Sequence, residues 1–183
     1  DGLVLGQFDD AGTPERPHQR IDDPSLLREL EHRHAPRWLF DSAAEAYPAM
    51  LVAGVRVRRC HDIALTERIL LGRSGRFGEP SRAAAVLARA AGRPVPDDPV
   101  TPELSPRSRP PDQPGLFDAD GPRTAAPSPA DLVAAYLDQQ GRVADSATGP
   151  GPTAARIEVV PGALRLLIAA ESGSALVAAE MTR

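Results

Sequence analysis

The chain has no lysine and no asparagine, and all of its positive side-chain charge comes from 21 arginines. That bias is what a GC-rich coding sequence produces, and it makes every cation a planar guanidinium suited to carboxylate or phosphate. Acids still outnumber arginines, and a net charge of −4 excludes a surface that is basic all over. Cysteine is reduced to Cys60 alone, which excludes an internal disulfide framework and fits a reducing cytoplasm. No apolar run approaches the length of a membrane span, and no signal peptide is present. Also missing are a glycine-rich phosphate loop, Cys-x-x-Cys and Gly-x-Ser-x-Gly, so the usual cofactor and hydrolase readings find no support. There are no internal repeats.

What is there is organised around residues 37–72. Arg37–Phe40 is a short apolar run, expected as a strand, between Pro36 and Asp41-Ser42. Ser42 and Glu45 have the spacing of a capping box, followed by Ala43, Ala46, Tyr47, Met50 and Leu51 at helical spacing. Pro48 is expected to bend or restart this helix, and Gly54 to end it in the left-handed conformation. Val55-Arg56-Val57-Arg58 alternates like a half-buried strand. Asp62 then caps a helix with Leu65, Ile69 and Leu70 inward and Gly72 at its close.

On the N-terminal side, Leu3–Phe8 predicts a strand, Asp9-Asp10-Ala11-Gly12 a turn, and Arg16–Ile21 a second strand. Asp23-Pro24 opens a helix carrying Leu26, Leu27 and Leu30, which ends before Pro36. On the C-terminal side, Pro80 is expected to start a helix that presents Ala83, Val86, Leu87 and Ala90 and stops at Gly92. Eleven prolines fall between Pro94 and Pro129, and a segment that cannot offset its ordering entropy by apolar burial reads as a disordered insertion. Ser128-Pro129-Ala130-Asp131 is a strong helix start, with Leu132, Val133, Tyr136, Leu137 and Val143 on the face to be buried. A last helix from about Pro161 carries Leu164, Leu167, Ile168, Ala175, Val177 and Met181. The pattern is that of an α/β layered domain: a core over residues 1–93, an insertion over 94–127 and a helical part over 128–183. The sequence opens on Asp1 and closes on Met181-Thr182-Arg183 inside a helical pattern, as a piece of a longer chain would.

The order of these elements resembles the 3′–5′ exonuclease-like domain of bacterial, actinobacterial-type family A DNA polymerases, the DNA polymerase I type. The residues that carry the resemblance are Phe40-Asp41 at the end of an apolar strand, Ala53-Gly54-Val55 at the end of a helix, and Asp62-Ile63-Ala64-Leu65 through Ile69-Leu70. It extends more weakly over most of the chain. The resemblance implies an RNase H-like exonuclease fold, a place in DNA replication and repair, and a polymerase domain of the same chain beyond Arg183, whose nucleotidyl transfer needs Mg²⁺.

Proofreading exonucleases of this kind hold two metal ions on four carboxylates. Against that pattern the chain is degenerate. The family's Asp-x-Glu on the first strand is absent, since the only acids there are Asp9 and Asp10 in a turn. Of Asn-x-x-Phe/Tyr-Asp, the end survives as Phe40-Asp41, but Arg37 takes the Asn position. Of Tyr-x-x-x-Asp, Tyr136 matches while Gln140 replaces the acid and Asp138 lies on another face. Asp41 is thus the one vestigial catalytic candidate, and no metal or other cofactor is expected on these residues. The expected role is non-catalytic support of a polymerase. The alternatives are an active metal-dependent 3′–5′ exonuclease and a free-standing α/β interaction module.

Three further groups bear on function. Cys60 and His61 are neighbours on a strand and point to opposite faces, which predicts a buried Cys and a surface His rather than a nucleophile and its base. His32 and His34 stand about 200° apart around a helix and cannot chelate one ion together. Arg56, Arg58, Arg59 and Arg68, with Arg73 and Arg76 nearby, are the candidate DNA contacts. Finally, Gln113-Pro114-Gly115-Leu116-Phe117 resembles the Gln-x-x-Leu-Phe peptide that docks on the bacterial sliding clamp. Gln113 would bond the pocket rim, and Leu116 and Phe117 would fill its apolar cleft.

Overall fold

Residues 3–99, 126–146 and 162–182 are described by the computed structural model of the chain, which is a mixed α/β structure. Strands β1 (Leu3–Phe8) and β2 (Pro14–Ile21) form an antiparallel hairpin whose register slips on either side of Gln7. Asp9 makes the turn: its carboxylate accepts from the backbone N–H of Ala11 and Thr13. β2 is exposed along its length until Ile21, which reaches the core.

Helix α1 (Ser25–His34) follows Asp23, whose side chain accepts from the Ser25 N–H at 2.8 Å. Of its three leucines only Leu27 is buried, and the residue one turn on, Glu31, is buried with it. Ala35, in the left-handed region at φ 40°, ends the helix ahead of Pro36.

The centre of the molecule is β3 (Trp38–Phe40), α2 (Ala43–Val52), β4 (Cys60–Asp62) and α3 (Ile63–Arg73), with β3 and β4 parallel and Phe40 opposite Asp62. α2 runs through Pro48 to Val52. Gly54, at φ 74°, then lets its own N–H reach Leu51 O and that of Val55 reach Met50 O, closing the helix end. The strand expected at Val55–Arg58 does not form. Val55 and Val57 are buried as their alternation predicts, but side chains take the backbone bonds a ladder would use. The Val57 N–H donates to Tyr47 Oη (3.2 Å) and the Arg58 N–H to Glu31 Oε1 (3.0 Å), so pairing begins only at Cys60.

The rest is helical. α3 continues past Gly72 and closes at Gly75, where the Arg76 N–H reaches Leu71 O. α4 (Ala83–Ala90) starts three residues after Pro80 and ends at Gly92. α5 (Pro129–Ser146) opens on the expected cap: the Asp131 N–H donates to Ser128 Oγ, and the Ser128 N–H to Asp131 Oδ2. Its packed face is Val133, Ala135, Gln139 and Val143, whereas Leu137 is partly exposed.

α6 (Ala163–Met181) packs on α2, α3 and β4 through Leu164, Ile168, Ser172 and Leu176. The expected stripe is therefore only half right, because Leu167, Val177 and Met181 face outward. Three apolar clusters result among the described residues. The largest joins Tyr47, Met50, Leu51, Val55 and Val57 to Leu27 and Leu176. The second seats Ile63 and Val86 against Ala135, and the third Leu70 against Val143, Leu164 and Ile168. Among the described residues no helix is long and apolar enough to cross a membrane.

Candidate functional site

β3 and β4 end side by side, and this brings Asp41 and Asp62 to one edge of the parallel pair. Each carboxylate is engaged by the ends of helices. Asp62 Oδ1 accepts from the Leu65 N–H (2.9 Å) and so caps α3; its Oδ2 accepts from the Ala43 N–H (2.7 Å) and caps α2 from across the sheet. The Ser42–Glu45 capping box does not form: Ser42 makes no side-chain cap bond, and the Glu45 N–H that it would serve reaches the Ser42 carbonyl instead. Glu45 instead pairs with Arg82.

Asp41 likewise serves a helix, but α4 rather than α2. Its Oδ1 accepts from the Ala83 N–H at 2.7 Å, and its Oδ2 faces Arg82 Nη1 at 3.3 Å. Asp98 completes this end of α4, accepting from the N–H groups of Ser81 and Arg82. Burial raises the pKa of both Asp41 and Asp62, and hydrogen bonds from backbone N–H groups oppose the rise.

One layer below, His61 is buried, not exposed as its neighbour's alternation predicts. Its Nε2 lies 2.9 Å from Gln139 Oε1, and its ring meets Tyr136 edge to face at 4.9 Å. Burial lowers its pKa. Cys60 is the more open of the two; its Sγ donates to Ser172 O, and burial together with the Asp62 charge pushes its thiol up to about 12. A thiol held neutral beside an imidazole that points away is not a nucleophile–base pair. Gln139 also donates to Ile63 O (3.0 Å) and Glu67 Oε2 (3.1 Å). Glu67 is wholly buried and is neutralised by Arg89 Nη1 at 3.0 Å and by Arg142.

The motif positions of the resemblance meet here in part. Arg37 Nη1 donates to Tyr136 Oη at 3.4 Å, across 99 residues of sequence. These residues do not fit a divalent cation. The oxygens of Asp41 already face Arg82 and the Ala83 N–H, and Arg37 brings a guanidinium rather than a ligating oxygen. Among the described residues there is no group of three or more His, Cys, Asp or Glu placed to hold a metal ion.

The candidate DNA contacts are dispersed. Arg56 Nη1 pairs with Glu180 on α6 at 3.0 Å. The Arg58 N–H is bonded to Glu31, and Arg59 Nε donates to Ala35 O, both on α1 or its end. Arg68 Nε lies 3.2 Å from Ser81 Oγ, beside α4. Gln113, Leu116 and Phe117 lie outside the described residues.

Sequence reading missed Glu67, Gln139 and Ser172, although a signal was present. Each sits in the middle of an apolar face: Glu67 four residues after Ile63, Gln139 between Ala135 and Val143, and Ser172 between Ile168 and Leu176. A polar residue at i±4 from buried neighbours predicts a buried, partnered group.

No family model matches the chain, nor does any curated protein or solved structure.

Proposed function

We propose that this chain is a non-catalytic, exonuclease-like domain of a family A DNA-directed DNA polymerase, with a degenerate RNase H-like fold, acting in DNA replication and repair. One observation carries the reading. Arg37, where one family motif has Asn, and Tyr136, which matches another, are in contact, while the Asp41 carboxylate is held by α4. A relic site of this kind keeps its scaffold and fills the vacated charge with arginine. The parallel β3–α2–β4 unit, with acids at both strand ends, supports it too. Such a domain supports its polymerase by packing and, through exposed arginines or the Gln113–Phe117 peptide, by contact with DNA or the sliding clamp. Nucleotidyl transfer with Mg²⁺ belongs to the polymerase domain. Reading the gene past the codon for Arg183 tests this: an in-frame polymerase domain is expected, and a stop codon would overturn it.

A further inference from the structure

The turn after α3 carries the most exposed aromatic ring among the described residues. Phe77 is 81% exposed. It is nonetheless seated: a Cβ built on Gly72 would lie 3.1 Å from Phe77 Cε1 and 3.6 Å from Cδ1, so one part of the ring rests where Gly72 has no side chain. The turn beneath it is closed by backbone bonds from Ser74 and Arg76 to Leu71 O and from Gly75 to Gly72 O. Arg76 is further fixed by two bonds to the Glu79 carboxylate, at 2.7 and 2.6 Å. An apolar ring that open is costly to leave in water.

Its surroundings are cationic. Arg68 is one helical turn before Gly72 on the same face of α3, and is exposed beyond its Nε contact with Ser81. Arg73 follows Gly72, is exposed, and has no ion pair among the described residues. Arg76 precedes the ring. Glu79 offsets Arg76 and Asp98 lies across Ser81 from Arg68, so Arg73 is the cation of this rim with neither an ion pair nor a side-chain hydrogen bond among the described residues. An aromatic face ringed by guanidinium groups complements a base stacked on the ring with its phosphate on arginine, and every base has such a face. A purely apolar partner would leave the arginines unused.

We infer that Phe77, with Arg73 and Arg68 beside it, is a stacking contact for single-stranded nucleic acid. This deepens the proposed function, resting on it only in taking DNA as the strand, and it moves the DNA contact away from Arg56, Arg58 and Arg59.

Fluorescence anisotropy of a fluorescein-labelled oligothymidylate, titrated with the 183-residue chain, tests it. Phe77→Ala is expected to weaken binding about tenfold, within the range for one base–aromatic stack, and Phe77→Trp to keep it. Arg73→Gln is expected to reduce the log–log salt slope by about 0.7, the loss of one phosphate on a single strand. A matched duplex is expected to bind more weakly. The inference is overturned if the unaltered chain does not bind, if Phe77→Ala binds as well, or if a duplex binds equally. Phe77→Leu binding as tightly as the unaltered chain would also overturn it, pointing to an apolar protein partner. None of these outcomes bears on whether a polymerase domain follows Arg183, so the two readings fail separately.

Discussion

The two ends of α4 neutralise carboxylates under different conditions. At the N-terminal end Arg82 meets Asp41 and Glu45, whose side chains keep 21% and 45% of their exposure. At the C-terminal end Arg89 meets Glu67, which has none. The first cluster is half solvated, and the two strand ends bring it together. The second is sealed by Gln139 and by Arg142 from α5, and it ties three helices together. Water still screens the first pair, so losing it should cost little. Little of that relief reaches the second, where Glu67 is wholly buried and Arg89 nearly so.

The comparison breaks most readily at Glu67. Glu67→Ala leaves the nearly buried Arg89 with Glu79, at 3.5 Å, as its remaining carboxylate and should cost about 3 kcal/mol, read as a lower urea midpoint with an unchanged slope. Replacing Glu67, Arg89 and Arg142 together with Met or Leu should recover most of that loss. If the single variant is nearly neutral, the second cluster is not the sealed one described here.

Asp62→Ala comes next. It removes the acceptor for Ala43 and Leu65 at once and should cost about 2–3 kcal/mol. Asp62→Asn, which keeps one acceptor oxygen, should lose about half as much. No loss in Asp62→Asn would mean that the carboxylate serves only one helix.

A smaller effect tests how dry the lower layer is. The unfolded chain protonates His61 near the ordinary value of 6.5, while burial delays this in the folded state to lower pH. Between the two values the unfolded state binds more protons, so stability should fall as pH falls through that window. The melting temperature should therefore drop from about pH 7.5 to about pH 5.5, and His61→Gln should flatten the drop. An identical drop in the variant would place the titration elsewhere. Smallest of all is Ser42→Ala, which makes no cap bond and should shift stability by less than about 0.5 kcal/mol, against the roughly 1 kcal/mol expected of a working cap.

That last pair shows where the chain was legible. Helix ends set by local chemistry read directly from sequence: Gly54, Gly92, Ala35 before Pro36, and the Ser128–Asp131 cap. Partners distant in sequence did not. Ser42 makes no cap bond, while Asp62, nineteen residues after Ala43 and across the sheet, holds the first N–H of the same helix. The Val55–Arg58 alternation marked the right side chains for burial but not the absence of a ladder, because Tyr47 and Glu31 had taken the backbone donors. His61 read as exposed because its buried partner, Gln139, lies 78 residues away. The outward Leu167, Val177 and Met181 were misplaced because α6 is apolar nearly all round, which leaves its packed face undetermined by pattern alone.

The central question is whether Asp41 holds up a helix or holds a metal ion. Incubating the purified chain with 5′-labelled single-stranded DNA and Mg²⁺ or Mn²⁺, beside its Asp41→Asn variant, answers it most directly. With Asp41 committed to Arg82 and the Ala83 N–H, neither protein should release nucleotides. Release by the unaltered chain that disappears in Asp41→Asn would contradict the assignment and make this an active exonuclease.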